Sequence, residues 1–178
     1  MSLFPAATPP VVNNGLVLNG ATQYAKVRNG ILLPQSFTWY AEFSPTFAYD
    51  ENVARALSDG DAAASRVMLL KNDAAGLYRL LLLVGTGAVY AAVADYSALW
   101  RQNQRNRICV MAAGGGGSMY LNGSAVAVAT NPWTLTQSSF FYLGSSFTGS
   151  AFFSGVLYDF RLYTRLVTAA EAVEITTV

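Results

Sequence analysis

Short segments of alternating apolar and polar residues dominate this sequence. Near its end, residues 156–162 carry a large apolar side chain at every second position: Val156, Tyr158, Phe160 and Leu162. Asp159 and Arg161 fall between them. Because successive side chains of a strand point to opposite faces, this pattern predicts a strand whose four apolar residues form one row facing the core.

The same alternation recurs along the chain, and helical periodicity is almost absent before residue 168. A second clear row contains Phe37, Trp39, Ala41 and Phe43. It predicts that Trp39 lies in the core. Gly, Asn, Asp, Ser and Pro separate the segments, as is usual at strand ends. Eleven strands are predicted, at residues 16–19, 24–27, 37–44, 66–71, 78–84, 89–94, 107–112, 118–121, 125–129, 140–143 and 152–163. So many short strands predict an all-β fold, a sandwich of two antiparallel sheets.

Two local signals sharpen this prediction. Asn122 and Gly123 are adjacent between two predicted strands, and both tolerate the positive φ angles of a tight hairpin turn. Thr168 and Glu171 have the spacing of a helix capping box, in which each side chain accepts a backbone N–H of the other residue. The chain is therefore expected to close with a short helical turn after its last strand.

Two segments lack the strand pattern. Residues 1–14 are rich in Pro, Ala and Asn and predict an extended arm preceding a sandwich at residues 15–178. The isolated apolar residues of this arm are candidate anchors on a neighbouring protein: Leu3, Phe4, Val11 and Val12. Residues 45–65 contain four carboxylates among alanines and predict a long surface loop.

Several motifs, taken in order, resemble the laminin-G-like, concanavalin-A-like jelly-roll family. They are Leu16-Val17-Leu18-Asn19-Gly20 with Tyr24-Ala25-Lys26-Val27, Ser36-Phe37-Thr38-Trp39-Tyr40-Ala41, Met119-Tyr120-Leu121-Asn122-Gly123, Leu143-Gly144-Ser145, and the ending from Phe153-Ser154-Gly155 to Glu171. The resemblance covers about residues 15–175. It implies a two-sheet jelly-roll sandwich. Lectins, glycan hydrolases, adhesion modules and structural parts all use this fold, so the resemblance leaves the function open.

Composition excludes some functions and leaves others open. The net charge is +1 and only 12% of residues are charged, so no electrostatic argument favours nucleic acid. No apolar run approaches the ~18 residues of a membrane span. Cys109 is the single cysteine and lies in an apolar segment, which predicts a buried structural thiol. The first residues lack the pattern of a secretory signal, so synthesis and folding in a cytosol are expected.

Catalytic and metal-binding signals are weak. The chain has no histidine, which excludes Ser-His, Cys-His and His-ligated zinc chemistry. No strand carries the alternating carboxylates by which glycan hydrolases of this type of sandwich resemble one another. We therefore expect a protein that is not an enzyme. Asp59 and Asp61 are weak candidate ligands for calcium, and the competing interpretation is a solvated acidic loop.

Two functions stay open at this point. A cytosol-made sandwich with little charge and a Pro-rich arm favours a structural part of an assembly, with capsid or fibre subunits as protein neighbours. We expect a homo-oligomer, and a bacteriophage virion component that decorates a capsid or belongs to a fibre. The alternative is a lectin-like module that recognises a cell-surface glycan. Its candidate residues are Trp133, Trp100 and Arg101, although Trp100 precedes a predicted strand where relatives carry a core tryptophan.

Overall fold

The computed structural model describes residues 11–12, 15–28, 34–63, 67–74, 77–85, 87–114, 116–129 and 138–178. In this part of the chain the strands are β1 (Val11–Val12), β2 (Gly15–Asn19), β3 (Ala25–Arg28), β4 (Ser36–Pro45), β5 (Arg55–Ala56), β6 (Ser58–Asp59), β7 (Val67–Ala74), β8 (Leu77–Val84), β9 (Gly87–Ala92), β10 (Asn106–Ala113), β11 (Gly116–Leu121), β12 (Ser124–Ala129), β13 (Phe140–Leu143) and β14 (Ser154–Tyr163). The helices are α1 (Val93–Tyr96) and α2 (Ala169–Thr176). The predicted all-β fold is confirmed. Neither helix is long and apolar enough to cross a lipid bilayer, within the residues described.

Three antiparallel sheets form the sandwich. The seven-stranded sheet has the order β1-β2-β14-β4-β10-β11-β12. A three-stranded sheet, β3-β13-β6, and a four-stranded sheet, β5-β7-β8-β9, supply the rest. One buried apolar cluster takes side chains from all three sheets, for example Phe43 from β4, Phe141 from β13 and Leu82 from β8. The core therefore lies between the large sheet and the two smaller ones.

Trp39 connects these sheets, as well as filling the core. Its row on β4 is fully buried, which confirms the predicted core position. The Trp39 indole Nε1 donates to the Ser58 hydroxyl of β6 at 3.1 Å. That hydroxyl donates in turn to the carbonyl of Val67 in β7, also at 3.1 Å. A buried N–H must find an acceptor, and here the acceptor joins the two smaller sheets to the large one.

The closing strand β14 differs from the predicted row. A β-bulge lies between Leu157, which pairs with Phe43, and Asp159, which pairs with Glu42. Tyr158 is the extra residue, so the alternation changes phase there. Leu157 is buried in the core, and Phe160 and Leu162 pack against that core as predicted. The predicted core positions of Val156 and Tyr158 were wrong, because the bulge leaves both half-buried and outside the core cluster.

The predicted surface loop at residues 45–65 also needs correction. The described part of this segment contains β5 and β6, and residues 56–60 are buried. Arg55 holds the segment in place, since its guanidinium donates to the carbonyls of Gly20 and Phe152 at 2.9 and 3.0 Å. It also forms an ion pair with Glu51 at 2.9 Å. These partners are distant in sequence, so the local pattern carries no sign of them.

Two residues near the end of the predicted N-terminal arm form a short strand. In β1, Val11 pairs with Leu16 and Val12 pairs with Gly15, at the edge of the seven-stranded sheet. The backbone of these two valines thus belongs to the sandwich. Leu3 and Phe4 lie outside the described residues.

Both local signals of the sequence are confirmed. Asn122 and Gly123 have φ angles of 50° and 84° in the turn between β11 and β12. At α2, the Thr168 hydroxyl accepts the Glu171 N–H at 3.2 Å, and the Glu171 carboxylate accepts the Thr168 N–H at 2.6 Å. The Arg165 guanidinium and this N–H lower the pKa of Glu171 to about 2, which keeps the carboxylate ionised in its cap.

Cys109 is buried beneath α2, as predicted for a structural thiol. Burial raises the pKa of the thiol to about 12. Because the thiolate is the reactive form, the native protein is expected to react with a disulfide reagent at about pH 8 at least ~100-fold more slowly than the urea-unfolded chain. Thiol-release kinetics in buffer and in urea measure this ratio.

A Thr164→Cys variant provides the control, because Thr164 is exposed. Its introduced thiol should react rapidly in the native state while Cys109 does not. Equal native rates at both cysteines would contradict the buried position of Cys109.

Candidate functional site

The three-stranded sheet presents an aromatic and basic surface on the side away from the core. In the β3–β13 ladder, Lys26 pairs with Tyr142 and Arg28 pairs with Phe140. The alternate residues of these strands point inward, and Ala25 and Phe141 belong to the core. The period of two therefore turns the paired residues outward. We call the surface formed by Tyr24, Lys26, Arg28, Phe140 and Tyr142 the aromatic face.

The rings of the aromatic face are close together and half-buried. The ring centroids of Tyr24 and Tyr142 are 5.6 Å apart at an interplanar angle of 39°. The Lys26 ammonium lies 4.2 Å from the Phe140 ring centroid and 5.3 Å from that of Tyr142. Arg28 is exposed, and the other four side chains retain partial exposure. The surface thus combines ring faces with a cation held against them.

Polar turns at both ends of the face set its shape. The Asn19 side-chain oxygen accepts the backbone N–H groups of Ala21, Thr22 and Gln23 at 3.0 to 3.2 Å. This turn places Tyr24 immediately before β3. Such side-chain acceptors are the usual means by which asparagine fixes a turn.

Asp59 and Asp61 act at the opposite side of β13. Asp59 is fully buried, and its carboxylate accepts the N–H groups of Gly60 at 2.9 Å and Phe147 at 3.1 Å. Asp61 accepts the N–H of Ser139 at 2.8 Å. These bonds anchor the backbone on both sides of β13. The interpretation of residues 59 and 61 as a solvated acidic loop was wrong for Asp59.

The weak calcium prediction for Asp59 and Asp61 gains no support from this geometry. Among the residues that the structure describes, no three His, Cys, Asp or Glu side chains are grouped so as to hold a metal ion. Both aspartates instead accept backbone N–H groups, which is a structural task.

Two of the residues predicted for glycan binding, Trp100 and Arg101, do not form an open sugar platform. Trp100 is buried against Phe43 and Phe47, and its indole Nε1 donates to the Phe47 carbonyl at 3.0 Å. Its ring therefore offers no open face to a sugar. Arg101 is half-buried in the turn before β10, where its backbone N–H donates to Asn106. Trp133 lies outside the described residues.

The aromatic face itself was missed by sequence reasoning, although a signal for it exists. Residues 24–27 and 140–143 were both predicted as strands, and each carries aromatic or basic side chains in the phase opposite to its core residues. Partly exposed aromatic residues on one phase of two strands indicate a shared surface only if the strands are neighbours. That pairing joins positions that are distant in sequence, and alternation alone does not reveal it.

A family model agrees with this architecture over most of the chain. Residues 19–173 match a laminin G family model that is described as the concanavalin A-like lectin/glucanases superfamily. This chain belongs to that superfamily. The suspected laminin-G-like, concanavalin-A-like resemblance is therefore confirmed. No curated protein sequence matches this superfamily member.

Solved structures share the fold at low sequence identity. Domain 4 of AbnA, an extracellular arabinanase of Geobacillus stearothermophilus solved in complex with arabinotriose, superposes with a TM-score of 0.70 at 15% identity, covering 99% of this chain and 82% of that one. The CBM40 of the Ruminococcus gnavus IT-sialidase, bound to α2,3-sialyllactose, gives 0.69 at 15% identity, covering 94% and 99%. The SAP-like pentraxin of Limulus polyphemus gives 0.64 at 14% identity, covering 94% and 78%. At these identities the likeness establishes the concanavalin-A-like jelly roll alone.

Proposed function

We propose that this superfamily member is a carbohydrate-binding module and that the aromatic face is its sugar platform. The observation that carries the proposal is the convergence of Tyr24, Phe140 and Tyr142 on one outward surface, with Lys26 among the rings. The C–H groups of a pyranose ring carry a slight positive charge and pack on the negative face of an aromatic ring. Neighbouring polar groups then bind the sugar hydroxyls.

Two structures with the same fold support this proposal. Domain 4 of AbnA was solved with arabinotriose, and the Ruminococcus gnavus CBM40 was solved with sialyllactose. The superposition covers 82% of the AbnA domain and 99% of the CBM40, so the similarity extends over most of each sugar-bound domain. The expectation of a virion component with capsid or fibre partners has no comparable support and stays a prediction.

Tyr142 provides the direct test. Its ring contacts both Tyr24 and Lys26, so Tyr142→Ala removes the centre of the platform. Losing one stacked ring costs about 1.5 kcal/mol, and binding to a glycan array hit should weaken ~10-fold or more. An array identifies the ligand, and titration calorimetry of wild type and variant with that ligand measures the loss.

Tyr158→Ala is the matched control. Tyr158 is also half-buried and also lies under a cation, with the Arg105 guanidinium 4.1 Å from its ring centroid, but it belongs to the seven-stranded sheet. This variant should bind the glycan as the wild type does. A wild-type affinity for Tyr142→Ala, an equal loss in Tyr158→Ala, or no glycan bound at millimolar concentration would each overturn the proposal.

A further inference from the structure

Five arginines in the described part of the chain form ion pairs with carboxylates. Glu51 pairs with Arg55, Asp159 with Arg161, and Glu171 with Arg165, at N–O distances of 2.9, 2.6 and 2.9 Å. Glu42 pairs with both Arg105 and Arg107. In each one-to-one pair the two charges cancel, and Glu42 offsets one of its two arginines, so less of their field extends to a ligand.

Lys26 and Arg28 differ from these arginines. Within the described residues, neither has an ion pair with a carboxylate. They are two residues apart on β3, so both lie on its outward side. The Lys26 ammonium is held over the rings of Phe140 and Tyr142, at the centre of the aromatic face. Two uncompensated positive charges thus lie at the proposed sugar platform.

The nearest carboxylate in the ladder is engaged with the backbone. Asp59 pairs with Tyr142 on the side of β13 opposite to Lys26. It is fully buried, and both of its oxygens accept backbone N–H groups, from Gly60 and from Phe147. Those bonds hold its carboxylate between the backbone segments that follow β6 and β13. Lys26 and Arg28 are therefore the charged side chains among the five residues that form the aromatic face.

We propose that the aromatic face selects acidic saccharides, those that carry a carboxylate or a sulfate, and that Lys26 and Arg28 determine this selectivity. The proposal rests on the proposed function of the same face. A sugar ring stacked on Tyr142 brings its substituents within reach of the Lys26 ammonium, and Arg28 extends the positive surface along β3. A forked guanidinium suits a carboxylate or a sulfate, since either anion accepts two parallel N–H bonds.

Matched pairs of saccharides test this selectivity. Lactose is compared with 3′-sulfolactose, and fully methyl-esterified oligogalacturonides with the free acids, by titration calorimetry at low and high salt. We expect the acidic member of at least one pair to bind ~10-fold more tightly, and this advantage to shrink at high salt because exposed charges are screened. In Lys26→Gln and Arg28→Gln, the ratio of acidic to neutral affinity should fall toward one.

Arg101→Gln is the matched control for charge. Arg101 also lacks an ion pair with a carboxylate within the described part of the chain, but it lies before β10 in the seven-stranded sheet. It should keep the wild-type preference for acidic saccharides. Thermal melts show whether each variant is folded. Because Arg28 is exposed, Arg28→Gln removes a charge without disturbing the packing.

The outcomes separate this proposal from the proposed function. If neutral and acidic members bind equally well, selectivity is overturned and carbohydrate binding stands. If neither class binds at all, the proposed function itself fails. If Arg101→Gln loses the preference and the β3 variants retain it, the assignment to Lys26 and Arg28 is overturned.

Discussion

Trp39→Ala is expected to lower the free energy of unfolding by about 4 kcal/mol, as large-to-small changes at fully buried aromatic positions do. Trp39 has no exposed surface, and its ring packs edge-on against Phe160 with centroids 5.7 Å apart. The substitution opens a cavity between the sheets and removes the donor to Ser58. Urea unfolding followed by circular dichroism measures the change.

Trp39→Phe separates the two parts of this effect. The phenyl ring keeps most of the packing but cannot donate to the Ser58 hydroxyl, which still donates to Val67. Its cost should be about 1–2 kcal/mol, the usual result of leaving a buried polar group without one partner. A loss below ~1 kcal/mol for Trp39→Ala would contradict the central position of this residue.

Gly155→Ala is expected to lower the free energy of unfolding by about 3 kcal/mol. Gly155 has a φ of +140°, and a Cβ there would lie 2.1 Å from the Ser44 carbonyl oxygen and 3.0 Å from the Pro45 Cα. Both contacts are with the backbone of β4, which cannot move without breaking its pairing with β14. The same urea titration measures the loss.

Gly114→Ala is the control for adding a methyl group. A Cβ at residue 114 would come no closer than 3.8 Å to any neighbour outside the adjacent residues, here the Gln35 carbonyl oxygen. Its stability should stay within about 0.5 kcal/mol of wild type. If both variants were equally stable, the tight approach of β14 to β4 at Gly155 would be wrong.

Local patterns predicted the features that depend on neighbouring residues. The capping box needs Thr168 and Glu171 one turn apart, and the hairpin needs two adjacent residues that accept positive φ. The β4 row needs only alternation, and its four apolar residues are all buried. In each case the residues that form the pattern are only a few positions apart in the sequence.

Long-range contacts decided the features that were predicted wrongly. The bulge at Tyr158 arises where β14 pairs with β4, and it moves Leu157 into the core in place of Val156. The buried strands β5 and β6 depend on Arg55 reaching Gly20 and Phe152, and on Ser58 meeting Trp39. These partners of Arg55 and Ser58 lie outside the acidic, alanine-rich segment at residues 45–65, so its local pattern does not reveal them.

The sequence by itself determined the all-β class, the laminin-G-like sandwich and the local turns, because alternation and cap chemistry act over a few residues. Only the tertiary structure decided where a ligand surface lies. The aromatic face exists because β3 pairs with β13, which places Lys26 beside Tyr142 across more than a hundred residues of chain. The same fold buries Trp100, which its aromatic residue type had made a candidate for sugar binding. Whether a side chain is exposed, and which side chains it contacts, depends on how the strands pair and pack, so residue type alone did not reveal this surface.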